Sequence, residues 1–365
     1  MKNVLIVGPL PPPIHGESVA INTIVRSKKI QFECNLISVN TNRKNTNRAG
    51  KFSVRKILSD IYIINKILFY VIFKHIDVLY LSISQTKLGL LRDLVILGIS
   101  TNFSKKSIVH LHGNNLGTVL DDLSRTEFFW AKKILKKVDV GIVLCQSLSN
   151  NYRNLIKEVR IISNGVDSNY IRIEDLQGKK SKENINILYL SNLIKEKGYI
   201  ELIKAIIDLL KEGYKINLHL AGAIYNKEEF DGIFHIIRAN GLDNHIKYCG
   251  IVNGSKKKEL LLSSDIMVLP SNYPIEGQPI SIIEGMAAGL AIIATNRGGI
   301  PELIDSKLLI QKGEREFIKT SLKELLLEGS SLIRVGNRNR EKFLNNYTTE
   351  IYEENILKVF KEDTF

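Results

Sequence analysis

Cysteine is scarce in this chain of 365 residues. Cys34, Cys145 and Cys249 lie far apart and are odd in number, which argues against both a disulfide framework and a thiolate zinc cluster and fits a reducing cytoplasm. A long apolar run is also missing. The opening MKNVLIVGPLPPP is too short in its apolar part for a signal peptide, so Val4 to Val7 reads as a first strand. No stretch reaches the roughly 18 uninterrupted apolar residues of a membrane span. The chain has no Asp-x-Asp, and His110 with His112 lacks a third ligand, so no metal site is expected. Nor is there a nucleic-acid recognition motif or a basic sheet studded with aromatics.

What is present is an ordinary globular composition, 44% hydrophobic and 24% charged, long enough for two cores. The charge is uneven. Residues 1–183 hold 28 Lys and Arg against 14 Asp and Glu, and residues 184–365 hold 23 against 24. A basic first half suits anionic lipid or a pyrophosphate-bearing acceptor.

The pattern alternates strand and helix throughout, which predicts an α/β fold of two doubly wound halves. Domain one is expected over 1–173, a linker rich in acids and lysines over 174–184, and domain two over 185–346. A C-terminal helix within 347–365 is expected to pack back on domain one. In the first half, Asn3 to Gly8 reads as a strand leading through Pro9 to Gly16 into a helix. There Gly16 permits close approach of a ligand, with His15 beside it. Thr41 to Lys56 reads as a mobile basic loop. Ile57 to Phe73 reads as a buried helix. A second reading makes it an interfacial helix, with Arg43, Lys44, Arg48, Lys51, Arg55 and Lys56 touching lipid headgroups. The strand Ser107 to Leu111 runs into His112, Gly113 and Asn114 at its carboxyl end, where open α/β sheets bind ligands. The helix from Leu123 to Lys137 is expected to turn Phe128, Phe129 and Trp130 inward and its lysines to water; a second reading, on its basic-amphipathic pattern, is contact with lipid.

The second half opens on the strand Ile185 to Leu190, a loop through Asn192 and Lys197-Gly198, and a helix from Tyr199. A lysine beside a glycine at a helix start is suited to a diphosphate. Further on, a buried strand enters a loop with Glu276, Gly277, Gln278 and Pro279. A short helix follows with Ile280, Ser281 and Glu284, its free N–H groups favouring an anion. Then come GMAAG and GGIPE.

This stretch, from Asp265 to Glu302, resembles the donor-site signature of the retaining GT-B glycosyltransferases of the large family-4 type (glycosyl transferases group 1). The resemblance covers nearly the whole chain, strongly in the second half and loosely in the first. It implies two Rossmann-like domains facing each other across a cleft. It also implies catalytic roles for His112, Lys197 and Glu276. Donor contacts fall on Gly16, Asn192, Lys197, Val252, Gly277, Gln278, Pro279, Ile280, Ser281 and Glu284, with Glu284 at the ribose. His15, Gly16, His112 and Asn114 would face the acceptor. Where this family usually has an arginine, the chain has Asn192, which brings no charge.

The expected activity is retaining, metal-independent transfer of a hexosyl or N-acetylhexosaminyl group from a nucleoside diphosphate sugar, UDP foremost, without a cofactor. The expected acceptor is a lipid-linked saccharide of O-antigen, capsule or lipopolysaccharide synthesis. The expected place is the cytoplasm, at the inner membrane face. Two other readings stay open: a nucleotide-sugar epimerase, and a non-catalytic nucleotide-sugar-binding protein.

Overall fold

Successive residues of a buried strand point to opposite faces, and the first sheet sorts its side chains accordingly. Leu5, Val7, Leu79, Leu81, Val109, Leu111 and Val143 enter one core, while Val4, Ile6, Val78, Tyr80, Ile108 and Ile142 enter another on the opposite face. Helices Val54–Phe73, Lys87–Ser100 and Arg125–Leu135 cover the first of these faces. Helices Gly16–Arg26, Lys28–Glu33 and Thr349–Lys361 cover the second. The strands are β1 (Lys2–Gly8), β2 (Cys34–Asn40), β3 (Val78–Ser82), β4 (Lys106–Leu111), β5 (Val140–Val143) and β6 (Glu158–Ile161). They are parallel, in the order β2-β1-β3-β4-β5-β6.

The computed structural model describes residues 1–42, 54–176, 184–327 and 331–363. Most of the basic segment expected as a loop at 41–56, and of the linker expected at 174–184, lies outside them. The chain divides into two compact units, one comprising Met1–Asn164 with Thr349–Phe365, the other Gly165–Thr348. In the first unit the helix Thr349–Lys361 inserts Tyr352, Ile356 and Phe360 into the core. The buried ammonium of Lys106, at the start of β4, holds the end of that helix through the carbonyls of Val359 and Glu362, at 2.8 and 2.9 Å.

The second unit has strands β7 (Ile185–Leu190), β8 (Ile216–Ala221), β9 (Ile246–Tyr248), β10 (Ile266–Leu269), β11 (Ala291–Thr295) and β12 (Leu309–Ile310). They are parallel in the order β12-β11-β10-β7-β8-β9. In both sheets the chain reverses its direction of strand addition at one place, between β1 and β3 in the first and between β7 and β10 in the second. Loops diverge there at the carboxyl ends and leave room for ligand.

Two expectations about the first unit's outer helices need correction. Of the three aromatics on Arg125–Leu135 only Phe128 packs against the core, whereas Phe129 is 61% and Trp130 56% exposed. The helix Val54–Phe73 is buried on one side alone: Ile63, Ile67 and Val71 enter the core while Leu58, Tyr62, Phe69 and Phe73 stand in solvent. Hydrophobic content overestimated burial because one layer of helices on a sheet offers each helix a single covered face.

Two helical glycines predict opposite stability effects. A Cβ at Gly336 would fall 2.1 Å from the Gly289 carbonyl oxygen, so Gly336→Ala should cost about 1–3 kcal/mol as the helix Ser331–Asn346 is pushed off its turn. At Gly232, exposed within Lys227–Ala239, an added Cβ meets nothing, so Gly232→Ala should stabilise by about 0.5–1 kcal/mol. Urea midpoints that move in the same direction for both would contradict this packing.

Candidate functional site

In the second unit, the loops after β7 and β10 meet at the reversal point of the sheet. Lys197 ends a short 3-10 turn, Lys195–Lys197, that follows β7, and Gly198 then starts the helix Tyr199–Lys211 with φ +81°. A Cβ at Gly198 would sit 2.2 Å from the Pro270 carbonyl oxygen, so only glycine lets the two loops touch. Across that contact the Lys197 ammonium bonds both oxygens of Glu276, at 2.8 and 2.7 Å. It also lies 4.7 Å from the Tyr273 ring centroid. The Ser271 hydroxyl donates to the same carboxylate at 2.6 Å, and Thr295, at the end of β11, donates to the Ser271 carbonyl at 2.5 Å. Glu276 is 5% exposed. It is a carboxylate taken out of water and met there by an ammonium and a hydroxyl.

Glu284 lies further on, on the helix Ile280–Ala287 that begins at Pro279. Its partner is Lys257 on the helix Gly254–Ser263, and burial raises the carboxyl pKa despite that lysine. The Lys257 ammonium stands 5.7 Å from the Tyr170 ring, and burial with the nearby Glu284 charge pushes the Tyr170 phenol up to about 12. The structure thus joins Lys197 to Glu276 and pairs Glu284 with another cation. Asn192 is exposed, and its side-chain oxygen accepts from the Ala223 amide at 3.3 Å. Val252 and Gln278 are buried, while Gly277, Pro279, Ile280 and Ser281 are partly so. The Ile282 N–H donates to the Pro279 carbonyl at 3.2 Å, whereas the N–H groups of Ile280 and Ser281 precede the first intrahelical acceptor, and Pro279 offers no side-chain cap.

The first unit presents a different chemistry at its strand ends. His15 caps Gly16–Arg26, accepting from the Ser18 amide at 3.4 Å, and Gly16 is the exposed first helical residue. Sequence reasoning missed the next residue. Glu17 accepts a hydrogen bond from Ser82 at the end of β3, at this sheet's reversal point, and burial raises its pKa. Behind it Arg92 bonds Asp93 at 2.7 Å and Ser84 at 2.9 Å. The rings of His110 and His112 stack at 3.9 Å, and the His110 Nδ1 lies 2.6 Å from the Tyr80 hydroxyl. Both ring nitrogens of His112 are shut off from solvent without a hydrogen-bond partner among the described residues. Asn114 accepts from the Asn151 amide at 2.8 Å.

Among the described residues, no three His, Cys, Asp or Glu side chains are grouped to hold a metal. A cavity of about 710 Å³ lies at the opposite, amino ends of the first sheet. Its charges satisfy one another, Lys2 with Asp363 at 2.7 Å and Lys105 with Asp77 at 2.8 Å, so no free charge there calls for a ligand.

The histidine stack gives a signed pH effect. Burial first, and His15 second, lower the His112 pKa from 6.5 to about 3. Below pH 6.5 the unfolded chain therefore binds a proton that the folded one refuses, and stability falls as pH drops through the window from 6.5 toward 3. His112→Phe, which keeps a ring against His110, should flatten the decline by about 1 kcal/mol per pH unit. Denaturant midpoints between pH 7 and 5 that fall equally in both proteins would rule this out.

Comparison with known proteins bears on both units. The family model described as glycosyl transferases group 1 matches residues 172–342. Over 259 residues the chain is 27% identical to an uncharacterized glycosyltransferase of Methanocaldococcus jannaschii, covering 66% of this chain and 64% of that one. Over 256 residues it is 24% identical to the N-acetyl-alpha-D-glucosaminyl L-malate synthase of Bacillus anthracis, covering 67% and 65%. The chain thus spans just under two thirds of the length of these curated relatives. Among solved structures, Anabaena HepE in complex with UDP superposes with a TM-score of 0.74 at 16% identity, over 98% of this chain and 99% of that one. A glycosyltransferase from Rickettsia africae gives 0.74 at 19% identity, over 99% and 98%. The fold is α/β of the GT-B type. By the match over residues 172–342 the second unit resembles the glycosyl transferases group 1, and the whole chain shares its fold with the GT-B glycosyltransferases among solved structures.

Proposed function

We propose that the protein is a retaining glycosyltransferase that takes a sugar from a nucleoside diphosphate sugar, UDP foremost, to a hydroxyl of a lipid-linked saccharide. The observation that carries this reading is the buried Lys197–Glu276 pair beside the Gly198 helix start, at the sheet's reversal point. A diphosphate there meets an ammonium and two sets of helix N-terminal amides, those following Gly198 and those following Pro279. Glu276, Gly277 and Gln278 face the sugar, and Glu284 meets the ribose. Support for the nucleotide comes from the Anabaena protein, whose structures contain UDP and UDP-glucose. Support for a surface polysaccharide comes from a relative named for capsular polysaccharide biosynthesis in Staphylococcus aureus, 23% identical over 60% of each chain.

In the proposed reaction the bond from the anomeric carbon to the diphosphate oxygen breaks while a bond to the acceptor oxygen forms on the same face. The acceptor proton passes to the departing phosphate. Charge grows on that phosphate, and Lys197 with the helix-start amides stabilises it, Asn192 adding a neutral donor. His112, neutral at ordinary pH, would offer a hydrogen bond without a charge to the transferred sugar or acceptor once its two enclosed ring nitrogens are uncovered, and His15, Gly16 and Asn114 line the acceptor side. This donor set replaces the divalent cation that an Asp-x-Asp enzyme would use, so transfer is proposed to proceed in a chelator.

Removing one electrostatic donor to the leaving group costs about 3 kcal/mol of barrier, so Lys197→Ala should lower kcat on the order of a hundredfold. UDP should still raise its melting temperature if the fold persists. Unchanged turnover would refute the role of Lys197. A thermal-shift screen of UDP-, GDP- and ADP-sugars should show one nucleotide raising the midpoint, an increase that Glu284→Gln should reduce by weakening the ribose contact. The wild type incubated with that donor alone should leave the sugar's configuration intact. A changed configuration would make the protein an epimerase, and donor binding without transfer to any acceptor would leave a binding protein.

A further inference from the structure

The helix Val54–Phe73 carries two apolar faces, and the fold uses one. At 100° per residue, positions 58, 61, 62, 65, 69, 72 and 73 fall within a third of the circumference, opposite the buried Ile63, Ile67 and Val71. Six of those seven are Leu58, Ile61, Tyr62, Phe69, Ile72 and Phe73, exposed between 44% and 67%; the seventh is Asn65. The Phe69 and Phe73 rings lie 5.2 Å apart, so the stripe ends in an aromatic pair.

Two more helices extend this surface. Lys87–Ser100 and Arg125–Leu135 cover the same face of the first sheet, so the outward sides of the three form one surface of that unit. It carries Leu88 and Val95 from the middle helix, and Phe129 and Trp130 from the last. Lys132, Lys133, Lys136 and Lys137 are exposed at its border, and the Lys133 ammonium stands 5.1 Å over the Trp130 ring. Among the described residues none of these four lysines is in an ion pair. The acids nearby are engaged: Asp60 lies 3.6 Å from Arg92, Asp121 binds Arg153, and Glu127 binds Lys87 at 2.8 Å, with Asp122 alone outside such a pair.

We propose that this outer face is a docking surface for an anionic lipid bilayer, with the Val54–Phe73 stripe lying in the headgroup plane and the Phe129–Trp130 pair anchoring beside the lysines. Apolar side chains exposed along a helix with aromatics at one end suit the boundary between headgroups and acyl chains. The unpaired lysines choose the occupant, because they complement anionic headgroups and would repel each other across a symmetric contact with a second copy. The helix lies on the membrane and does not cross it, since no helix among the described residues is long and apolar enough to span one. The surface stands on exposure and charge alone, and so is independent of the proposed transfer.

Trp130 is the sole tryptophan of the protein, so intrinsic fluorescence reports this surface directly. Full-length protein should float with vesicles of phosphatidylglycerol and phosphatidylcholine at low salt, its Trp130 emission shifting to the blue, and should stay unbound with phosphatidylcholine alone. Phe69→Glu/Phe73→Glu and, separately, Lys132→Gln/Lys133→Gln/Lys136→Gln should each lower the bound fraction at least about tenfold. Their melting temperatures should hold, because the side chains are exposed. Phe32→Glu, on the opposite face of the sheet, should bind as the wild type does. Absence of flotation with anionic vesicles, flotation without a Trp130 shift, or variants that float like the wild type would each overturn the proposal. So would a sedimenting dimer that Phe69→Glu/Phe73→Glu dissolves while no vesicle binds. Nucleotide-induced thermal shifts in the same variants report on the donor site separately, so either result stands without the other.

Discussion

The buried contact between the Lys197 ammonium and the Glu276 carboxylate is the interaction on which the carboxyl end of the second unit's sheet depends. Neither charge would be tolerated alone at 13% and 6% side-chain exposure. Each is tolerated because the sheet brings the β7 and β10 loops together where its strand order reverses, and because Gly198 lets the backbones touch. Ser271 supplies a further hydrogen bond to Glu276 and is itself held by Thr295 from β11. Three adjacent strands thus fix one ion pair. Parallel strands with short apolar runs deliver charges to one edge of a dry sheet, and glycine decides how closely those charges approach.

The first unit applies the same topology to the opposite electrostatics. Its strand ends gather His110, His112 and Glu17, and burial shifts each toward its neutral form: the histidines lose affinity for a proton and the carboxyl gains it. A neutral, desolvated end suits hydroxyl-bearing ligands, which need directed hydrogen bonds and would gain little from a net charge. The paired, ionic end of the second unit suits a phosphate. The division follows from the residues that each strand places at its carboxyl terminus, and it is the division that the proposed function assigns to acceptor and nucleotide.

Much of this was legible in the sequence, because it rests on local pattern. Short apolar runs separated by helical segments identify the strands, and Lys197-Gly198 and Glu276 through Glu284 stand out by residue type and spacing. What stayed hidden depends on chain segments remote from one another. Glu17 reads as an ordinary first-turn acid until β3 brings Ser82 to it from 65 residues away. Lys257 is one lysine in a run of three, and only the packing of two helices shows that it serves Glu284. The exposure of Trp130 is the less favoured reading of the sequence, since an aromatic at helical spacing is usually core. Whether a helix has one covered face or two is set by the number of layers above it.

The Lys197–Glu276 pair also bears on the neutral Asn192, where the resemblance to the GT-B family implies an arginine. An arginine would present a second permanent cation to a diphosphate, whereas in the proposed reaction Lys197 has to leave, or share, the carboxylate it already holds. The exchange is less costly than it first looks. A diphosphate brings its own negative charge to the ammonium, and Glu276 keeps the Ser271 hydroxyl while sugar hydroxyls arrive as new donors. The total of charge-assisted hydrogen bonds is thus nearly conserved across binding. A lysine suits that role better than a guanidinium, because a compact point charge on a flexible stem can turn from one anion to another without the fork geometry that bidentate pairing demands. In the proposed reaction the cation that grips the leaving group is also the one that pairs with Glu276, so binding and stability would be coupled at Lys197.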